Sequence, residues 1–201
     1  MRRQRPGLDV IESYLDHTEP SLSRVLGAYD GSAVVVPLLL GAAYHSRVDV
    51  PAAIMATGGS ARQAQVLGPD VLLLRALERR LTEARVAPGD PGTALVLAAA
   101  GSTDATAVDG VRTLAASWRE RGWWAVEPAF ASAAAPSVAD AVTSLRARGA
   151  PRVAVATYLL FPGAFAEQVA GAGADVSSAP LGDAPEVARL VLARYDAAMT
   201  P

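Results

Sequence analysis

A chain of 201 residues, 51% of them hydrophobic and 19% charged, can bury a full core, and that balance excludes a disordered or low-complexity protein. Its formal net charge of −2 provides no general attraction to nucleic acid or to an anionic membrane surface. The absence of cysteine rules out disulfides, thiolate metal sites and cysteine nucleophiles, which leaves two histidines as the scarce chemical resource.

The basic start, Arg2, Arg3 and Arg5, runs into Pro6, Gly7 and Asp9 rather than into an apolar segment, so no signal peptide is read there. The longest apolar run, residues 33–43, falls well short of the ~20 residues a membrane helix needs. The expected setting is the cytoplasm, with neither membrane nor nucleic acid as a partner.

In chain order, residues 8–15 read as a weak strand and 20–29 as a helix. Residues 33–40 are apolar and β-branched without alternation, the pattern of a parallel strand covered on both faces. Helical spacing follows at 51–56 and 71–84, then a Pro- and Gly-rich linker at 87–92. A second buried strand is expected at 94–100, a helix at 105–121, a weak strand at 123–130 and a helix at 137–148. A third buried strand at 153–160 and a helix at 185–199 complete the pattern. Strands alternating with helices predict an α/β fold with parallel sheets flanked by helices.

The chain also repeats itself across the linker. Pro20-Ser21 recurs as Pro136-Ser137, Leu39-Leu40 as Leu159-Leu160, and Leu67-Gly68 as Leu181-Gly182, at separations that drift only as loop insertions would make them. Two similar domains follow, one over residues 1–86 and one over 93–201. The second opens with a strand, the turn Gly101-Ser102-Thr103-Asp104 and a long helix. In the first, residues 2–7 match only the tail of that helix. The first domain is therefore expected to lack its opening strand and most of its first helix, and a truncated gene model is the expected cause, because losing a strand would strip its neighbours of backbone partners.

Val36-Pro37-Leu38-Leu39-Leu40, followed by Gly41-Ala42-Ala43-Tyr44-His45 and then by Asp49-Val50-Pro51, resembles the sirohydrochlorin chelatase and cobaltochelatase family. There a strand ends in Pro-x-x-Leu, and a Gly-x-x-x-His loop precedes Asp-x-Pro. Gly101-Ser102 is similar to the family's His-Gly-Ser turn, and Phe161-Pro162-Gly163 to a second copy of the loop. The resemblance runs from Leu8 to Tyr195. It implies two similar chelatase-like α/β domains facing one another across a cleft, and a metal-inserting lyase acting on sirohydrochlorin or a related tetrapyrrole. Cobalt or ferrous iron is then a substrate, serving cobalamin or siroheme biosynthesis, with no tightly bound cofactor, in a monomer or homodimer. Two histidines usually line such a site. The turn position of the second repeat is Ala100 and its loop position is Phe165, so His45 alone matches, and the first domain is the expected catalytic half.

Chelation requires that a divalent metal be held while two pyrrole N–H protons leave. A neutral imidazole suits both tasks, as a borderline ligand whose proton affinity lies near working pH. His45 falls in a loop after a parallel strand, the usual ligand-binding edge of an α/β sheet, and is expected to be both metal ligand and proton acceptor. Arg47 is a candidate clamp for substrate carboxylates, and Tyr44 a candidate surface for the macrocycle face. Asp49, just before Pro51, is expected to cap a helix beside the site, with its free N–H groups turned to a carboxylate. His17 is read as a loop histidine. The alternatives are a non-catalytic tetrapyrrole- or metal-binding protein of the same fold, or an α/β ligand-binding domain with no metal role.

Overall fold

A computed structural model describes residues 1–15, 18–29, 32–42 and 44–200. It contains two compact units, residues 69–187 and residues 1–68 with 188–201. The repeats read from sequence meet at the linker, whereas the units divide elsewhere. The helix α3, Val71–Glu83, belongs to the unit of the second repeat, and most of the last helix belongs to the unit of the first.

The larger unit is organised by the strand β3, Thr93–Ala99, every residue of which is buried. It pairs in parallel with β4, Ala125–Phe130, and with β5, Arg152–Tyr158. A two-residue strand β6, Val176–Ser177, extends β5, giving the order β4-β3-β5-β6. Ala94, Val96 and Ala98 pack with Val138, Val142 and Leu145 of the helix α5, Val138–Ala147. Side chains alternate across a strand, so Leu95 and Leu97, also fully buried, point to the other face. On β4 and β5 lie the helix α4, Ala105–Arg119, and α3 respectively. Both faces of the sheet are thus covered, which is why these strands read as continuous apolar runs. Asp104 and Ser137 cap α4 and α5 by accepting the N–H groups of Thr106 and Asp140.

One carboxylate secures the β5 edge. Asp175 accepts the Val153 N–H at 2.7 Å and an Arg146 guanidinium hydrogen bond at 3.1 Å. The Val153 N–H above all, opposed in part by desolvation and aided by Arg146, holds the Asp175 carboxyl below its ordinary range. A carboxyl depressed in the folded state stabilises fully above its unfolded pKa, about 3.9, and loses that effect as pH falls through the folded value. Asp175→Ala is expected to cost about 1 kcal/mol at neutral pH, solvent screening included. Urea midpoints of variant and parent should converge as pH falls through the depressed folded-state value, where the carboxyl becomes protonated in both states. A gap that persists in acid would assign the effect to packing.

The smaller unit carries the same design with fewer bonds. Its ladder joins β1, Val34–Val35, to β2, Arg62–Gln63. Val50 and Ile54 of the helix α2, Val50–Met55, form a small core with Leu22 of the helix α1, Leu22–Gly27. Leu15, Leu26 and Val35 pack against that core. Ser21 caps α1 by accepting the Arg24 N–H at 3.3 Å. The last helix, α7, Pro185–Met199, is tied in by Arg194, which donates to the Val66 and Leu67 carbonyls, and by a bidentate Arg5–Asp196 pair.

Two expected strands are corrected. Residues 8–15 form no ladder; Tyr14 alone bridges Ser21. Of residues 33–40, only Val34 and Val35 are paired. The matching segments of the larger unit are β4 and β5, and both lean on β3. No described residue of the smaller unit takes the place of β3, and without a partner the backbone makes no ladder. The other expected strands and helices fall within a few residues of expectation, the helix Ala164–Ala170 and the helical turn His45–Asp49 are unexpected, and β2 and β6 are too short to leave a periodic signal. Among the described residues, no helix is long and apolar enough to cross a membrane.

Candidate functional site

The chain leaves β1 through Pro37 to Leu40, and the next turn of structure is a π-helix, His45–Asp49, running directly into α2. A π turn closes through i to i+5 bonds, and the Val50 N–H accordingly meets the His45 carbonyl. Val50 and Ile54 bury their side chains in the small core, which fixes the helix and leaves the opposite face of the turn to solvent. Ser46 is buried, and its carbonyl accepts a 2.7 Å hydrogen bond from the Gln63 side chain on β2. The loop is thereby fastened to the sheet edge.

His45 stands on the open face, its side chain 59% exposed. Its Nδ1 lies 2.6 Å from Asp49 Oδ2, four residues on. A neutral imidazole that donates Nδ1–H to a carboxylate presents its other nitrogen, Nε2, as the lone-pair acceptor. This carboxylate–imidazole pairing fixes the tautomer and the orientation of the ring. Tyr44 is also exposed, its ring edge-on to that of His45 with centroids 6.4 Å apart. Arg47 donates to the Ala42 carbonyl at 3.2 Å, across the loop's entrance.

Asp49 does not act as the expected cap. Its backbone is helical, φ −70° and ψ −44°, and its side chain makes no capping bond. A cap must stand outside the helix with extended dihedrals, but here the chain is already helical when it reaches Asp49, and the carboxylate is used by His45 instead. The uncapped N–H groups expected beside a substrate carboxylate are likewise absent from this junction, since the π turn continues into α2. His17 and Ala43 lie outside the described residues. Among the described residues, no three His, Asp or Glu side chains cluster as a metal cage, so the donor set is one imidazole backed by one carboxylate. The reading by sequence missed Gln63, whose strand is too short to predict. It also missed the His45–Asp49 bond, which the spacing of four could have suggested.

In the second repeat, Ala100 follows β3 and is followed by Gly101 at φ +93°, where a Cβ would lie 1.8 Å from the Ser132 carbonyl oxygen. Glycine is obligatory at that turn. Phe165, the counterpart of His45, lies in the helix α6, Ala164–Ala170, and is exposed with Phe161.

A parallel α/β repeat with an imidazole on the loop after a strand is the arrangement of the chelatase fold, and the family comparison agrees. The CbiX family model matches residues 1–84 and again 94–198; the chain belongs to the CbiX family. Among solved structures, SirB from Bacillus subtilis with Fe3+ superposes with a TM-score of 0.79 at 22% identity, covering 98% of this chain and 85% of that one. The sirohydrochlorin chelatase SirB from Bacillus subtilis subspecies spizizenii, in complex with cobalt, gives 0.71 at 21%, covering 94% and 80%. CbiX, the terminal enzyme for biosynthesis of siroheme in denitrifying bacteria, gives 0.67 at 25%, covering 87% and 79%. No curated protein matches the chain by sequence.

Proposed function

We propose that the chain is a sirohydrochlorin chelatase that inserts a divalent metal, cobalt or ferrous iron, into the tetrapyrrole. Membership of the CbiX family supports the reaction class, and similar folds have been solved with Fe3+ and with cobalt. The observation that carries the reading is the exposed His45 imidazole oriented by Asp49. In this mechanism the metal is a substrate. Nε2 of His45 takes it from water as a transient ligand; once the metal has passed to the ring, the freed Nε2 accepts one of the two pyrrole protons, and the other leaves to water. Asp49 keeps the proton on Nδ1 and stabilises the imidazolium that forms. Tyr44 offers an apolar face to the macrocycle, and Arg47 a cation for its carboxylates.

The test is absorbance of sirohydrochlorin mixed with cobalt or ferrous iron and a sub-stoichiometric amount of protein. Multiple turnovers of the metallated spectrum are expected. A spectral shift that saturates at one equivalent would replace the enzyme with a tetrapyrrole-binding protein. Asp49 acts as a positioning residue, so Asp49→Ala is expected to lower the insertion rate about 10- to 100-fold. Asp49→Asn, whose amide oxygen still accepts Nδ1–H, should recover part of that loss. Equal rates in Asn and Ala variants would remove the hydrogen bond from the mechanism.

A further inference from the structure

The turn that carries His45 is short of one main-chain donor. In a π-helix each carbonyl accepts the N–H five residues on, and the His45 carbonyl accepts that of Val50. The donor due to the next carbonyl, that of Ser46, is the nitrogen of Pro51, and a proline nitrogen has no hydrogen. The Gln63 side chain fills that place: its Nε2 donates to the Ser46 carbonyl at 2.7 Å in a partly buried bond. Gln63 is itself held by the ladder, opposite Val35. The Arg62 and Ala64 N–H groups on either side of it donate to the Ala33 and Val35 carbonyls at 2.9 Å each. A side-chain amide anchored in the sheet thus replaces a main-chain hydrogen bond inside the turn.

The second repeat shows that the fold does not demand this arrangement. With Phe165 in the place of His45, Ser46 corresponds to Ala166 and Pro51 to Gly171. The helix there is an ordinary α-helix from its first turn. The Glu167 N–H donates to the Gly163 carbonyl four residues back, and Gly171 keeps an N–H, which it gives to the Glu167 carbonyl. Opposite Val155, the position equivalent to Gln63 opposite Val35, stands Ser177, which has no amide. Proline, π turn and glutamine therefore occur together in the repeat that has the imidazole, and all three are replaced in the repeat that has phenylalanine.

We propose that Gln63 is a positioning residue for metal insertion, acting through the turn on the His45–Asp49 pair; the inference rests on the chelatase reading of that site. His45 and Asp49 are the first and last residues of the π turn, so its shape sets the 2.6 Å separation of Nδ1 and Oδ2. Their side chains are 59% and 32% exposed, and water competes for the carboxylate. The pair persists while the backbone holds its two ends in place. Without the amide donor, the Ser46 carbonyl competes with that of His45 for the Val50 N–H, which is the α-helical alternative. The turn then shifts, and Asp49 no longer selects the tautomer of the ring.

The test compares Gln63→Met, which keeps the length of the side chain and removes the donor, with Gln63→Lys, which keeps a donor on a flexible stem. Insertion of cobalt into sirohydrochlorin is expected to slow about 10-fold in the methionine variant and much less in the lysine variant. The second readout is the 15N NMR spectrum of the His45 ring, with neither metal nor tetrapyrrole present, its signals being those lost in His45→Ala. The neutral ring should carry its proton on Nδ1 in the parent and in Gln63→Lys, and shift toward the Nε2–H form in Gln63→Met. A parent-like ring in Gln63→Met, even with a lowered urea midpoint, would make the tie structural alone and overturn the proposal. Equal insertion rates in the two variants would overturn it as well. Because the ring is observed without substrate, failure of the tether is distinct from failure of the chelatase reading, which would show as no turnover by the parent.

Discussion

Replacing His45 with alanine is expected to lower kcat/KM for metal insertion by about 10²-fold or more, the scale on which a positioned acid–base group contributes. The ring is mostly exposed and belongs to no core cluster, so the variant should keep the stability of the parent to within about 0.5 kcal/mol. Loss of rate with an unchanged urea midpoint therefore isolates the chemical role. The variant should still perturb the sirohydrochlorin spectrum if Tyr44 and Arg47 hold the macrocycle, and its rate deficit should persist at saturating tetrapyrrole. An unchanged insertion rate would take the imidazole out of the mechanism and leave only the family fold.

The largest stability effect is expected in the other unit. Trp118 is fully buried on α4, its ring edge-on to Trp123 with centroids 6.2 Å apart and at 61°. Its indole N–H donates to Glu78 Oε1 at 3.1 Å, an oxygen that Arg121 also contacts. Trp118→Ala removes the largest fully buried side chain, packed on Trp123 and bonded to Glu78 of α3, and leaves a cavity, at a cost of about 3–5 kcal/mol. Trp118→Phe should cost less, because it keeps the aromatic contact and loses mainly the hydrogen bond and part of the volume. Chemical denaturation followed by far-UV circular dichroism measures both. A loss under about 1 kcal/mol for the alanine variant would mean that the surrounding helices collapse into the space.

How far the sequence reveals the molecule depends on what each segment touches. Residues 94–100 and 153–160 could be recognised as buried strands because both faces of their sheet are covered, and burial on two faces writes itself as an unbroken apolar run. Residues 8–15 carry a weaker signal, with Asp9, Glu12 and Ser13 among the apolar side chains, and form no ladder, because pairing depends on a neighbour that composition does not encode. His45 was legible through its loop motif. The role of Asp49 was not, since Asp before Val-Pro signals a helix start only when the preceding chain is extended, and here a π turn already precedes it. Gln63 holds the loop from a strand of two residues, too short for any periodicity.

The short β1–β2 ladder has a consequence for how the molecule breathes. Few main-chain bonds cross-link the smaller unit, while β3 alone is laced to two neighbours over nearly its whole length. Local opening free energies follow such differences, so the segment that carries His45 belongs to the softest cooperative block of the native state. Mild heat or denaturant would disable it while the four-stranded sheet still stands, and inactivation would precede global melting.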